Sequence, residues 1–272
     1  MPRLSIVIVT YNSAAHIAGC LDSLTRHPPG VDHGVVVVDN ASSDGTVDTV
    51  RQRWPAVRAI AAGGNVGFAK ANNIGIRATG GELVLLLNPD TVVPPGALDR
   101  LVAALDARPD AAIAGPRLVD ASGRGELSFG WMMSPFAELR QKLIGRAYER
   151  RVPIVAGYAD RLTRRARDVD WVSGACLLVR RADADAVGLM DERFFMYTED
   201  VDFCASIRAR GRGVLFTPAA EVRHLRGQSA ASAPAATEAA YRRSQLAFYE
   251  KHHPRWAPVL RAYLRLLGRP PR

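Results

Sequence analysis

The chain has 272 residues, 48% of them hydrophobic, and a net charge of +9, a composition that suits one large domain or a domain with an appendage. A run of about 18 uncharged apolar residues is missing, and the N-terminal MPRLSIVIVTYN lacks a cleavage site of small residues, so neither a transmembrane helix nor a secretory signal is expected. Three widely spaced cysteines argue against a disulfide framework or a zinc site and indicate a cytoplasmic protein.

Strands and helices alternate through the first 115 residues. The predicted strands are Leu4–Val9, Val35–Val38, Val57–Ala61, Leu83–Leu87 and Ala111–Pro116, and the predicted helices between them are Ala14–Thr25, Thr46–Trp54, Phe68–Ala78 and Gly96–Ala107. Such alternation favours right-handed βαβ crossovers and a mostly parallel sheet with helices on both faces. Ligands of these sheets bind beyond the carboxyl ends of the strands, so the polar residues that follow the strands are expected to meet at one edge.

The second half of the chain is less regular. Its predicted elements are a basic helix at Phe136–Arg150, a strand at Trp171–Arg180, a short helix at Ala182–Val187, a helix within FFMYTEDVDFCASIRARG and a last strand at Val214–Phe216. The Ala- and Ser-rich segment Gln228–Thr237 is predicted to be a loop. Tyr241–Leu267 is predicted to be a helical tail, broken near Pro254 and Pro258.

The positive charge is concentrated in residues 140–167 and 241–272, which each carry a net +7 and leave −5 for the remainder. This distribution predicts anionic partners at defined places, such as a membrane surface or a diphosphate, with solvated arginine-rich helices as the alternative. Only the positive charge argues for nucleic-acid binding, and we do not expect such binding.

The turn after the first strand is TYNSA, which has none of the glycines of a dinucleotide-binding fingerprint or a P-loop. This argues against NAD chemistry, and against a sugar-nucleotide nucleotidyltransferase with its glycine-rich basic signature. A diphosphate ligand would then require a divalent cation held by oxygen ligands.

Candidate binding residues follow the other strands. Asp39 comes after four valines and could bind a base or ribose, or cap the next turn. Asn72 and Asn73 lie inside a predicted helix, where Asn is a poor helix former, which favours binding over capping. Asp90, in LLLNPD, is a turn residue unless a partner makes it a metal ligand, and His224 is one candidate for that partner.

Glu199, Asp200 and Asp202 stand at the start of a predicted helix, in YTEDVDFC. The helix dipole by itself accounts for any one of these acids. Because Glu199 and Asp200 are adjacent and point in different directions, one could act as a general base while the other caps the helix.

Together these segments resemble the family 2 inverting glycosyltransferases with the GT-A fold, and bacterial rhamnosyltransferases in particular. The similar segments occur in family order: VIVTYNS, VVVDNASSDGT, GNVGFAKANNIGI, LLLNPDTVV, WVSGACLLVRR, FFMYTEDVDFCASIRARG and HLRGQS. The resemblance implies an α/β GT-A domain at residues 1–230, with a nucleotide-binding half at 1–116 and an acceptor half at 117–230. Residues 231–272 would be a basic helical appendage.

The resemblance also implies site residues. Asp200, beside Glu199, would be the catalytic base, and Asp90 with His224 would hold Mg²⁺ or Mn²⁺. Trp171 and Gly174 would border the acceptor. The donor site would comprise Thr10, Tyr11, Asn12, Asp39, Asn65, Gly67, Phe68, Asn72, Asn73, Asn88 and Asp90. Asn88 departs from the family's Asp-x-Asp pattern and is expected near the ribose or the metal's water shell.

The implied reaction moves a sugar from a nucleoside diphosphate to a cell-envelope glycan or a polyprenyl-diphosphate-linked acceptor. Rhamnose from dTDP-rhamnose is the first choice, with UDP-galactose and UDP-N-acetylglucosamine as alternatives. The alternative from a different functional class is a module that binds a sugar nucleotide without catalysing transfer. Residues 241–272, rich in Arg, Leu and aromatic residues, are expected to contact the inner face of the plasma membrane, or to form a homodimer interface or a plain packing helix.

Overall fold

The computed structural model describes residues 2–135, 137–138, 161–225 and 234–266. The strands are β1 (Leu4–Thr10), β2 (His33–Asp39), β3 (Arg58–Ala61), β4 (Leu83–Leu87), β5 (Thr91–Val92), β6 (Ala111–Val119), β7 (Phe129–Gly130), β8 (Arg167–Asp168), β9 (Trp171–Val172), β10 (Cys176–Arg180) and β11 (Gly213–His224). The helices are α1 (Ala14–Arg26), α2 (Thr46–Arg53), α3 (Phe68–Arg77), α4 (Ala97–Asp106), α5 (Arg181–Ala186), α6 (Glu199–Ala209), α7 (Pro234–His252) and α8 (Ala257–Leu266).

The central sheet has the strand order β3-β2-β1-β4-β10-β6-β11-β5, and β8 pairs with β11. Strands β1 to β4 are mutually parallel where they pair, and β11 is parallel to β6. Strand β10 runs antiparallel to both of its neighbours, β4 and β6. The prediction of a large, mostly parallel sheet surrounded by helices is confirmed.

Both faces of this sheet are covered, because its central strands carry apolar side chains in both directions. In β1, Ile6 and Ile8 belong to the apolar cluster that includes α1 and α4. Val7, between them, belongs to the cluster on the other face, with Ile76 of α3 and Phe203 of α6. The core therefore fixes the sheet between two helical layers and aligns the carboxyl ends of β1, β2 and β4.

Three element predictions were wrong. Trp171–Arg180 is not one strand, because residues 173–175 form a turn in which the Gly174 N–H donates to Asp200 instead of to a neighbouring strand. The last strand is much longer than Val214–Phe216 and ends at His224. Residues 234–237 begin a helix and are not a loop.

The remaining predicted elements are found close to their predicted bounds, with Pro254 in the break between α7 and α8. Pro258 lies in the first turn of α8, where a missing N–H is tolerated. Of the predicted basic helix at Phe136–Arg150, only residues 137–138 are described, and both are helical. The rest of that segment and residues 228–233 lie outside the described residues.

Helices α7 and α8 pack against the domain. Phe248 and Tyr249 of α7 belong to an apolar cluster with Met133 and Phe194. Lys251 Nζ lies 2.9 Å from a carboxylate oxygen of the buried Asp202 in α6. Within the described ranges, no helix is both long enough and apolar enough to cross a bilayer.

Candidate active site

The first corner of the site lies where β1 and β2 end side by side. Thr10 and Asp39 are register partners and both are buried. The Thr10 hydroxyl donates to Asp39 Oδ1 over 3.0 Å, and the Ser42 N–H donates to Asp39 Oδ2, also over 3.0 Å. Asp39 therefore caps the turn after β2, which was one of its two interpretations. Each carboxylate oxygen retains a further lone pair, so binding of a base or ribose stays a prediction.

Tyr11 and Asn12 continue this corner. The backbone of Asn12 is left-handed, with φ of 49°, and its side-chain oxygen accepts the Ser43 N–H over 2.8 Å. Asn12 thus ties the turn after β1 to the turn after β2. Tyr11 is 46% exposed, so its ring faces solvent at the edge of the corner.

Asn65, Gly67 and Phe68 form the junction from β3 into α3. The Asn40 side chain donates to Asn65 Oδ1 over 2.8 Å, which joins this junction to the turn after β2. The Phe68 N–H donates to the carbonyl of Phe195 over 2.7 Å. The junction therefore connects the β1–β2 corner with the segment that leads into α6.

The two helical asparagines are engaged by the protein itself. Asn73 donates to the carbonyl of Met190 over 2.8 Å and accepts the N–H of the same residue over 3.1 Å. Asn72 donates to the carbonyl of Phe68 over 2.9 Å. The unfavourable helix propensity of Asn73 is thus explained by a tertiary anchor for the loop at Met190, and a donor-binding role is not needed to account for it.

The second corner brings Asp90 and His224 together. Strand β5, directly after Asp90, pairs antiparallel with the end of β11, with Thr91 opposite His224. His224 Nε2 consequently lies 3.3 Å from Asp90 Oδ1, although 134 positions separate the two residues in the sequence. Asn88 Oδ1 is buried beside this corner and has no hydrogen-bond partner among the described residues.

Glu126 also belongs to this corner, and sequence reasoning missed it. Its Oε2 lies 3.2 Å from His224 Nδ1, so the imidazole stands between two carboxylates. Burial lowers the pKa of His224, but the hydrogen bonds and charges of Asp90 and Glu126 outweigh burial and raise that pKa to about 9. Glu126 lies in SGRGELSFG, a segment without helical or strand periodicity, so no sequence pattern marks it.

The residues of this corner fit a divalent cation. Asp90 supplies a carboxylate oxygen and His224 a ring nitrogen, while Glu126 can orient the ring through its second nitrogen, a common arrangement around metal-binding histidines. The unpartnered amide oxygen of Asn88 adds a further oxygen of the type that Mg²⁺ and Mn²⁺ accept. The ligands offered by the protein would thus be Asp90 and His224 with the Asn88 amide, since the described residues contain no group of three or more His, Cys, Asp and Glu side chains arranged to hold a metal ion.

Asp200 lies at the start of α6 in a strained segment. Tyr197 and Thr198, just before the helix, both have left-handed backbones, with φ of 66° and 71°. Such strain is uncommon outside glycine and is concentrated at functional sites. The N–H groups of Gly174 and Val201 each donate to Asp200 over 2.8 Å. Burial nevertheless raises the pKa of Asp200 above its usual value.

Glu199 has a different environment from its neighbour. It is 7% exposed, and its Oε2 has no hydrogen-bond partner within the described part of the chain. Burial, followed by the charge of Asp200, raises the pKa of Glu199 well above its ordinary value. Asp200 is the better general base of the two, because backbone hydrogen bonds support its ionised form.

A cavity of about 420 Å³ joins the two groups of residues. Asp200, His224 and Glu126 line it, and so does Trp171. Gly174 contributes through its hydrogen bond to Asp200. The α7 residue Tyr241 also lines the cavity, a contribution that the sequence did not predict. A carboxylate with raised pKa and a candidate cation corner therefore border the same cavity.

Comparison with known proteins gives a consistent result. A family model described as "Glycosyltransferase like family 2" matches residues 2–258. The chain is 34% identical over 267 residues to an N-acetylglucosaminyl-diphospho-decaprenol L-rhamnosyltransferase of Mycobacterium tuberculosis, a match that covers 93% of this chain and 86% of the relative. It is 23% identical to the rhamnosyltransferase WbbL of Escherichia coli, over 80% of this chain and 82% of that one.

Solved structures share the fold. The mannosyltransferase PcManGT from Pyrobaculum calidifontis, in complex with GDP-Man and Mn²⁺, superposes with a TM-score of 0.61 at 20% identity, over 96% of this chain and 69% of that one. S. aureus TarS 1-349 in complex with UDP superposes with a TM-score of 0.57 at 17% identity, over 90% of this chain and 65% of that one.

Proposed function

The chain belongs to glycosyltransferase family 2, and we propose that it transfers rhamnose from dTDP-rhamnose to a polyprenyl-diphosphate-linked acceptor, with inversion at the anomeric carbon. The observation that carries the proposal is that Asp200 and the Asp90–His224 corner meet around one cavity. The similarity to a decaprenol-linked rhamnosyltransferase supports the choice of sugar and acceptor. In this proposal residues 1–116 bind the donor and residues 117–230 bind the acceptor.

Asp200 acts as the general base. Its raised pKa favours uptake of the proton from the acceptor hydroxyl as that hydroxyl attacks the anomeric carbon. The N–H groups of Gly174 and Val201 hold the carboxylate in place for this step. A base of this kind accelerates a reaction by a factor on the order of 10²–10⁴.

Asp90 and His224 would hold Mg²⁺ or Mn²⁺, and such an ion, when bound, offsets the negative charge on the leaving diphosphate. Glu126 keeps the His224 ring oriented towards Asp90. The Thr10–Asp39 corner receives the base or ribose, with the exposed Tyr11 at its edge. In this proposal the Asn88 amide, whose oxygen has no hydrogen-bond partner among the described residues, contacts the ribose or the water shell of the ion.

The same proposal includes peripheral contact with an anionic membrane surface through α8 and the residue just before it. Trp256, Val259, Tyr263 and Leu266 are all exposed, and their spacing places them along one side of the helix. Arg255 and Arg265 are exposed nearby. Aromatic and aliphatic residues beside arginine suit the interface of an anionic bilayer, where the polyprenyl acceptor resides.

A donor panel tests the reaction. Purified protein is incubated with dTDP-rhamnose, UDP-galactose or UDP-N-acetylglucosamine, an N-acetylglucosaminyl-diphospho-polyprenol acceptor, and Mg²⁺ or Mn²⁺, and released nucleoside diphosphate is measured. We expect acceptor-dependent release from dTDP-rhamnose that EDTA abolishes. Preference for a UDP-sugar would overturn the choice of donor, and a full rate in EDTA would overturn the cation's role. No release with any donor would favour a binding module without catalysis.

A further inference from the structure

The segment that carries Asp200 combines a strained turn with several contacts to the C-terminal helix α7. Tyr197 and Thr198, directly before α6, both have left-handed backbones, a conformation that residues other than glycine rarely adopt. Such a conformation persists only when the surrounding structure holds it in place. The contacts between α7 and residues 191–202 therefore bear on the position of the proposed base.

Asp202 is the first point of contact with α7. It follows Asp200 by two positions in α6, so the two side chains leave the helix on different sides, Asp200 towards the cavity and Asp202 towards α7. Lys251 Nζ donates to Asp202 Oδ2 over 2.9 Å, and His252 Nε2 lies 2.7 Å from Asp202 Oδ1. Asp202 is 1% exposed, and a carboxylate buried to this extent requires such partners. These contacts fix one side of α6 against α7.

Two further contacts join α7 to the loop that leads into α6. Lys251 Nζ also donates to Asp191 Oδ2 over 2.9 Å, at the beginning of that loop. The Ser244 hydroxyl donates to the carbonyl of Met196 over 2.8 Å, directly before the two left-handed residues. Helix α7 therefore holds the segment at its beginning, beside the strained turn and within α6.

Each acid that Lys251 contacts also has a second partner. Arg193 Nη2 donates to Asp191 Oδ2 over 2.7 Å, and His252 lies beside Asp202. Loss of the Lys251 ammonium group would therefore leave neither carboxylate without a hydrogen-bond partner. It would, however, remove the group that bridges the loop to α6. Lys251 is thus a position at which this connection can be broken without a buried, unpaired charge.

We propose that Lys251 is a positioning residue, which together with Ser244 holds residues 191–202 so that the Asp200 carboxylate faces the acceptor hydroxyl. The inference rests on the proposed glycosyl transfer, in which Asp200 is the base. Lys251 is not among the described residues that line the cavity, so it acts through Asp191 and Asp202. Displacement of a catalytic group by about 1 Å can lower a rate on the order of 10²-fold, so the position of this segment matters for turnover.

Steady-state kinetics of Lys251→Met test the inference. We expect kcat to fall by at least about tenfold while donor KM stays within about twofold, because the described contacts of Lys251 lie in α6 and its preceding loop. Lys251→Arg keeps the charge and should recover most of the rate. Ser244→Ala removes the contact with Met196 independently, and it should also lower kcat without a change in donor KM.

Arg212→Met is the matched control. The ion pair between Arg212 and Asp183 has side-chain exposures of 29% and 20%, close to the 27% and 20% of Lys251 and Asp191, and it lies outside residues 191–202. Its loss should leave kcat at the wild-type value. Hydrogen–deuterium exchange gives a second readout that needs no turnover. Lys251→Met should accelerate exchange in peptides from residues 191–204, and Arg212→Met should not.

Failure of this inference differs from failure of the proposed reaction. Wild-type kcat in both Lys251→Met and Ser244→Ala, or unchanged exchange of residues 191–204 in Lys251→Met, would overturn the positioning role. An equal loss of rate in Arg212→Met would also overturn it, because general destabilisation would then explain the effect. Faster exchange in Lys251→Met, without turnover of any donor by the wild-type protein, would overturn the proposed reaction and leave the contact between α7 and this segment in place.

Discussion

Glu199 and Asp200 show how two adjacent carboxyl groups acquire different properties. Glu199 is buried and its Oε2 lacks a hydrogen-bond partner in the described structure, so its neutral form is favoured. Asp200 accepts two backbone N–H groups and lines the cavity. A base must be ionised before it can accept a proton, so these environments favour Asp200 over Glu199 as the proposed base.

Replacement of the base tests this assignment. We expect Asp200→Asn to lower kcat by a factor on the order of 10²–10⁴, because the amide cannot accept the proton. The Kd for dTDP-rhamnose should remain within about twofold, since Asp200 contacts none of the residues of the Thr10–Asp39 corner. Glu199→Gln is the matched comparison and should retain most of the rate. Comparable turnover in Asp200→Asn, or a larger loss in Glu199→Gln, would contradict the assignment.

At the junction into α3, the packing of two distant elements depends on the backbone conformation of one residue, Gly67. Gly67 has φ of 88°, a conformation that residues with a side chain rarely adopt. A Cβ there would lie 2.6 Å from the Phe195 carbonyl oxygen, which accepts the N–H of Phe68. Glycine therefore allows the start of α3 to dock on the segment that leads into α6.

Gly67→Ala should accordingly destabilise the protein. We expect a loss of about 1–3 kcal/mol in the free energy of unfolding, from overpacking against backbone and from the left-handed conformation. Urea unfolding measures the loss. Gly64→Ala, three residues earlier, is the control, because its φ is ordinary and a Cβ there meets nothing within 4 Å. Equal stability of the two variants would show that the junction relaxes without cost.

At the scale of the whole molecule, the C-terminal helices link the site to a second surface. Helix α7 contributes Tyr241 to the cavity and fixes Glu138, while α8 carries exposed apolar residues beside arginines. If α8 rests on a membrane, α7 sets the distance between that surface and the cavity that Asp200 lines. An acceptor whose lipid remains in the bilayer could then present its sugar to Asp200.

Membrane contact is tested by one charge on the exposed face of α8. We expect Val259→Glu, at a position 54% exposed, to reduce co-sedimentation with phosphatidylglycerol vesicles by severalfold, because it places a carboxylate against an anionic interface. Ala103→Glu adds the same charge to an exposed position of α4 and should bind vesicles like the wild type. Unchanged vesicle binding would contradict the proposal, and conversion of a dimer to a monomer would identify α8 as a subunit interface.

Much of the first half of the fold was predictable because it depends on neighbours along the chain. Apolar periodicity and turn residues located β1 to β4 and α1 to α4 within a few residues. The alternation of strands and helices then implied that Asp39 and Asp90 lie at the same edge of the sheet, since parallel strands end there together. The resemblance to the glycosyltransferase family indicated Asp200 and His224 as site residues. In the structure both residues line one cavity.

What the sequence determined by itself is therefore the order of β1 to β4 and α1 to α4 and the edge at which polar residues gather. Only the tertiary structure decided the contacts between distant segments. The pairing of β5 with β11 sets His224 beside Asp90, and packing of α7 brings Tyr241 to the cavity. Glu126 lies in a segment without periodicity and Glu138 in a predicted basic helix, and each contacts a residue about a hundred positions away through a hydrogen bond. Periodicity in the sequence reports which residues are locally buried. Contacts between residues this far apart in the chain form only when the sheet and the helices pack around a common core.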